Sequence, residues 1–141
     1  MFLDDCIFCK IVTGQLPSYK IYEDEKVYSF LDIGPLSQGH TLVVPKAHFE
    51  KFHECPAELL ADVAKVLGEV AKAVLKATGA QGYNVLCNNG RVAGQLVDHM
   101  HFHIIPRNEG DGVFTQWPAK KYEDDQAEEI LKTIVDHLNC G

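Results

Sequence analysis

With 141 residues, 46% of them hydrophobic, the chain is long enough to bury one core and too short to need dividing. Its formal net charge of -7 excludes a general affinity for nucleic acid or an anionic membrane, either of which needs clustered Lys and Arg, so any phosphate must be held locally. No apolar run approaches a membrane span, Met1-Phe2-Leu3-Asp4-Asp5 is too acidic and short to open a signal peptide, and five cysteines without disulfide-scaffold spacing fit a reducing, intracellular compartment.

A short helical turn is predicted around Ile7 to Thr13, ending near Gly14. Lys20-Ile21-Tyr22 and the run Val27 to Ile33, separated by Glu23-Asp24-Glu25-Lys26, read as a hairpin, and Thr41-Leu42-Val43-Val44 as a third strand stopping at Pro45. Pro56 suits a first helical position, and Leu59, Leu60, Val63, Val66, Leu67, Val70 and Val74 repeat at helical spacing up to Thr78-Gly79. The opposite side of that helix carries Glu58, Asp62, Lys65, Glu69, Lys72 and Lys76, a solvated face needing no functional explanation. Tyr83 to Cys87 reads as a fourth strand, Asn88 to Gln95 as a glycine-containing loop, and His99 to Pro106 as a fifth strand. Past Gly110-Asp111-Gly112 and Trp117, Asp124 or Asp125 caps a last helix whose Ala127, Ile130, Leu131, Ile134 and Leu138 share a face that should pack on a core or a partner. Strands in sequence with few helices predict an α+β domain, an antiparallel sheet of about five strands with two main helices.

The chemistry concentrates in His99-Met100-His101-Phe102-His103-Ile104-Ile105, where three histidines alternate inside an apolar run. On a strand all three imidazoles would leave one face, and three together are costly to bury without a ligand, a metal or an anion. A neutral imidazole is a capable nucleophile, and the central His101 is flanked by two more that can orient it or donate to an oxyanion. Upstream, Gly94 lets backbone approach a ligand closely, so the amides of Gly94-Gln95-Leu96 are candidate phosphate donors, although such a loop is more often only a turn. Cys6-Ile7-Phe8-Cys9 places two thiols within reach of one zinc, half of a tetrahedral shell; a redox pair or two plain thiols are the alternatives.

The histidine run preceded by Ala93-Gly94-Gln95, with Phe30-Leu31-Asp32-Ile33 and Gly39-His40-Thr41-Leu42-Val43-Val44-Pro45-Lys46 upstream in that order, resembles the histidine triad (HIT) family, most closely its zinc-bearing, Hint-type nucleoside phosphoramidases. The resemblance spans about Cys6 to Arg107, implying a single HIT domain over 1–141 with a core of about 6–107 and a C-terminal tail and helix of about 108–141. It implies a purine nucleotide hydrolase or transferase that releases AMP or GMP from phosphoramidates or adenylates, with His101 as the nucleophile, His103 on the phosphate and His40 in the supporting network. Asp32 matches the acid that grips the ribose; Ile7, Phe8, Ile11, Phe30 and Ile33 match the base pocket; Asn88, Gly94, Gln95 and Leu96 match the phosphate side. The tail from Gly110 to Trp117 is expected beside the leaving group. In zinc-bearing members the thiols of Cys6 and Cys9 are joined by His48 and His99, which implies a structural zinc and no organic cofactor. A homodimer is implied as well, in the cytoplasm, or also the nucleus in a eukaryote.

One residue departs from the family pattern. Many members carry Ser or Thr where this chain has Leu96, and losing a critical donor to developing charge costs about 2.7–4 kcal/mol. That departure supports a nucleotide-binding scaffold with weak turnover as a competing reading; dinucleoside polyphosphate hydrolysis, as in Fhit-type relatives, is a second enzymatic one that shares the nucleophile.

Overall fold

The computed structural model describes residues 3–114 and 118–140. Trp117, expected beside the leaving group, lies outside the described residues. The predicted α+β architecture is present: five antiparallel strands, β1 (Lys20–Glu23), β2 (Val27–Leu31), β3 (Thr41–Pro45), β4 (Gly82–Leu86) and β5 (Phe102–Arg107), in the order β1-β2-β3-β5-β4. Helices α1 (Ile7–Val12), α2 (Ala57–Thr78) and α3 (Gln126–Cys140) complete it.

Alternation along the strands sorts the apolar residues onto two faces. Val27, Val43 and Ile104 point to one side and meet Val63, Val66, Val70 and Val74 of α2, which buries the stripe read from the sequence. Tyr28, Phe30, Leu42 and Val44 point to the other side and meet Phe8 and Ile11 of α1. The register then fixes where chemistry can happen. Phe30 pairs with Leu42, and Leu42 with His103, so these three side chains form a row across β2, β3 and β5 on the α1 face.

Three expectations change. Pro56 caps α2 from outside, with an extended ψ of 143°, instead of opening it as its first helical residue. The fifth strand starts at Phe102, so only His103 of the three histidines belongs to the sheet ladder. The preceding residues lie outside the ladder, with 97–99 in a bend, and are bonded elsewhere: the Met100 amide donates to Phe49 O at 2.6 Å, away from the strands. Helix α3 begins directly after Asp125, yet its Leu131, Ile134 and Leu138 are 60%, 52% and 74% exposed, so of the two expected packings, on a core or on a partner, the first does not occur among the described residues.

Gly39 carries a positional requirement. Its φ is +90°, and a Cβ there would sit 2.6 Å from Thr78 Cγ2 at the end of α2, so only glycine allows this approach.

Candidate active site

A cavity of about 440 Å³ opens on the α1 face of the sheet. Ile7, Phe8, Ile11, Phe30, Ile33, Asp32, Gly94, Leu96, His101 and His103 line it, all of them expected from the sequence. Leu16, Pro17, Ser18, Leu31, Leu42 and Val97 also line it and were missed by sequence reading. Of these, Leu42 was recoverable from strand alternation once the β3–β5 register is known; Pro17-Ser18 carries no local signal. His40, Asn88 and Gln95 lie behind the walls.

The hydrogen bonds order the histidine protons. The Leu36 amide donates to His40 Nδ1 at 3.0 Å, so in the neutral ring the proton is on Nε2. That nitrogen lies 2.9 Å from His103 Nδ1 and 3.6 Å from Asp32 Oδ2. His103 therefore accepts at Nδ1 and carries its proton on Nε2, a buried nitrogen with no hydrogen-bond partner among the described residues. His101 donates from Nδ1 to His99 O at 2.7 Å, which leaves the Nε2 lone pair free. The His101 and His103 rings are 4.9 Å apart. One histidine thus offers a lone pair and its neighbour an N–H, side by side.

Burial keeps these rings neutral. It lowers His103 to about 4, with the neighbouring His101 and His40 adding to the effect. Burial likewise lowers His101 and His40, against the opposing pull of the Asp32 carboxylate. A neutral His101 keeps its nucleophilic nitrogen near pH 7.

The loop before the histidines is braced from within. Gln95 is buried: its Oε1 accepts from the Gly90 amide at 2.8 Å and from Lys51 Nζ at 3.1 Å, and its Nε2 donates to Glu50 O and Val97 O. Its side chain is thus spent inside the protein instead of on a ligand. The Gly94 and Gln95 amides also donate within the loop, to Arg91 O and Gly90 O. Asn88 supports the same turn through Gly94 O at 3.4 Å. Leu96 is 82% exposed on the rim.

Cys6, Cys9, His48 and His99 converge beneath α1, their donor atoms within 4.8 Å of one another. His99 Nδ1 lies 3.4 Å from Cys6 Sγ and 3.6 Å from Cys9 Sγ, and His48 Nδ1 lies 3.5 Å from Cys9 Sγ. A tetrahedral shell with Zn–S of about 2.3 Å and Zn–N of about 2.05 Å separates sulfur from nitrogen by roughly 3.5 Å, so the group fits a metal ion of that kind. His99 Nε2 donates to Pro45 O at 2.8 Å, which turns the Nδ1 lone pair toward the thiols. Backbone amides of Leu3 and Cys9 point at Cys9 Sγ and Cys6 Sγ, as thiolate ligands require.

The HIT domain family model matches residues 13–110. The chain belongs to the HIT family. It is 50% identical to the adenosine 5'-monophosphoramidase of Schizosaccharomyces pombe over 81% of this chain and 84% of that protein. The crystal structure of a HIT family protein from Bacillus subtilis superposes with a TM-score of 0.88 at 40% identity, covering 94% of this chain and 96% of that one. A zinc-bound histidine triad protein from Mycobacterium smegmatis superposes at 0.73 with 35% identity, covering 96% of each chain. Among the described residues no helix is long and apolar enough to cross a membrane.

Proposed function

We propose that this HIT protein hydrolyses purine nucleoside phosphoramidates or adenylates through a nucleotidyl-His101 intermediate, releasing AMP or GMP. One observation carries the reading: His101 Nε2 offers the lone pair of a buried, neutral imidazole on the cavity wall, with the His103 Nε2–H, unpartnered among the described residues, beside it. The apolar end at Phe8, Ile11 and Phe30 takes the base and Asp32 accepts from the ribose hydroxyls. His101 Nε2 attacks the α-phosphorus as the bond to the leaving group breaks, a departing amine taking its proton from solvent water, and His103 Nε2–H donates a hydrogen bond to a phosphate oxygen as charge builds. Water then displaces His101 from phosphorus and frees the monophosphate. His40, braced by the Leu36 amide, holds His103 in the donating tautomer. The Leu96 amide, which makes no hydrogen bond among the described residues, supplies the loop's contact to phosphate.

We further propose a structural zinc on Cys6, Cys9, His48 and His99, supported by sulfur–nitrogen separations that match a tetrahedron. The domain occupies the whole chain, with the core at about 6–107; the exposed apolar row of α3 supports a homodimer, and five cysteines without disulfide-scaffold spacing support a cytoplasmic setting. A binding protein with slow turnover is the second reading, favoured by the missing hydroxyl at Leu96.

Incubation of wild type and His101→Ala with an adenosine phosphoramidate, followed by intact-protein mass measurement and AMP quantitation, tests the assignment. Wild type should show a nucleotidyl adduct and turnover, and the alanine variant neither, with its fold retained. An alanine variant that hydrolyses within about threefold of wild type would overturn it, since tenfold corresponds to only about 1.4 kcal/mol.

A further inference from the structure

The four-donor cluster and the nucleotide cavity share one short stretch of chain. Ile7 and Phe8 lie between Cys6 and Cys9, and both line the cavity. The buried Phe8 ring stands edge-on to His101, with centroids 5.0 Å apart at 89°, and makes similar contacts with Phe30 at 5.4 Å and with His99 at 5.8 Å. A second connection runs through the backbone. His99 O accepts the His101 Nδ1–H at 2.7 Å, while the His99 ring is itself fixed at both nitrogens, by Pro45 O and by the two sulfurs. The reactive imidazole therefore rests on two supports, a hydrogen bond that sets its tautomer and an aromatic edge that limits its swing. Both are anchored on the same cluster.

We propose that Phe8 is a positioning residue for His101, and that occupancy of the Cys6–Cys9–His48–His99 cluster and occupancy of the nucleotide cavity stabilise one another through Phe8 and His99. This rests on the reading of His101 as nucleophile for its turnover arm only. The physical demand is plain: a shift of about 1 Å in a reacting group can cost on the order of a hundredfold in rate, so a nucleophile on irregular backbone needs more than one support. The coupling must also be reciprocal, because whatever the cluster contributes to nucleotide affinity the nucleotide returns to the cluster.

Phe8→Leu in the zinc-loaded protein retains apolar volume and all four donor residues, and it separates positioning from packing. Zinc content should stay at that of wild type. The His101 ring 15N resonances, recorded without nucleotide, should move from one neutral tautomer toward a mixture, and kcat should fall at least tenfold while AMP affinity falls threefold or less. A merely pocket-lining Phe8 would weaken AMP binding and leave kcat and the His101 resonances as they are, and that result would overturn the assignment. The resonances need neither substrate nor turnover, so they decide the matter even if the hydrolase reading fails. If Phe8→Leu loses metal or fold, the wild-type protein decides instead: transfer of zinc to a chelator should slow at least threefold under saturating AMP, and an equal rate would overturn the coupling.

Discussion

The two faces of the sheet are built on opposite plans. The α2 face is a regular surface: a 22-residue helix laid on alternating strand positions, sealed by valines and isoleucine with no ionisable group in the cluster. The α1 face has a helix of six residues, irregular segments before β5, and a concentration of histidines, thiols and one carboxylate around a cavity. Periodic backbone packs well because every residue repeats the last, but it cannot aim single side chains independently. Both faces bury an apolar cluster, but the side chains that carry chemistry gather on one. A change to the α2 face should alter folding and spare catalysis; a change to the polar groups at the cavity on the α1 face should do the reverse.

The cluster of Cys6, Cys9, His48 and His99 is where that division should break. Cys9→Ser is expected to lose metal and to lower stability by about 3 kcal/mol or more, because ligand binding and folding are coupled. Metal analysis and thermal melting check it: protein purified without added zinc should hold one equivalent per chain, and metal-free protein with an unchanged melting temperature would remove the site.

Acid provides the next test. His103 is held at about 4 in the folded chain by burial, while in the unfolded chain it titrates near 6.5. Below 6.5 the unfolded state takes up a proton that the folded state refuses, so the stability present above 6.5 is lost as pH falls toward 4. Discounted for the ring's partial exposure to solvent, the loss by pH 5 is on the order of 1 kcal/mol, and His103→Gln should lose correspondingly less than wild type between pH 7 and pH 5. Parallel melting curves for the two would contradict it.

A core substitution sharpens the comparison from the other side. Val63→Ala, fully buried between α2 and the sheet, should cost roughly 1.5 kcal/mol in denaturant unfolding, with kcat unchanged per folded molecule. A fall in kcat would mean that the faces are mechanically coupled. The smallest expected effect is at the rim. Leu96 is so exposed that Leu96→Ser should shift stability by less than about 0.5 kcal/mol, while a hydroxyl aimed at developing charge raises kcat more than it lowers KM. Normal AMP affinity without faster turnover would show that the leucine is not what limits the enzyme.

Much of this was legible in the chain. The stripe from Leu59 to Val74 announced α2 because a 3.6 period has few competing causes, and the short alternating runs announced the hairpin and the central strands. The strand that carries the histidine run starts three residues later than the alternation implies, because alternate spacing does not reveal whether a segment joins a ladder or bends away from it. Here Met100 bonds to Phe49 O and His99 to Pro45 O, partners some fifty positions away that leave no local trace. The inward turn of Gln95 was hidden for the same reason, since Glu50 and Lys51 hold it. Nor could the proton order of His40 and His103 be read, because it is set by the Leu36 amide, and tautomers follow partners, not spacing.

Gly39 joins the two plans at a single atom. The missing methyl group lets the end of α2 press against the turn that presents His40, with Thr78 Cγ2 only 2.6 Å from where a Cβ would stand. The His40–His103 hydrogen bond is thus gauged from behind by the last turn of a helix that contributes nothing to the cavity. An alanine at 39 would act as a shim driven between scaffold and machinery, displacing His40 or the end of α2, whichever yields first.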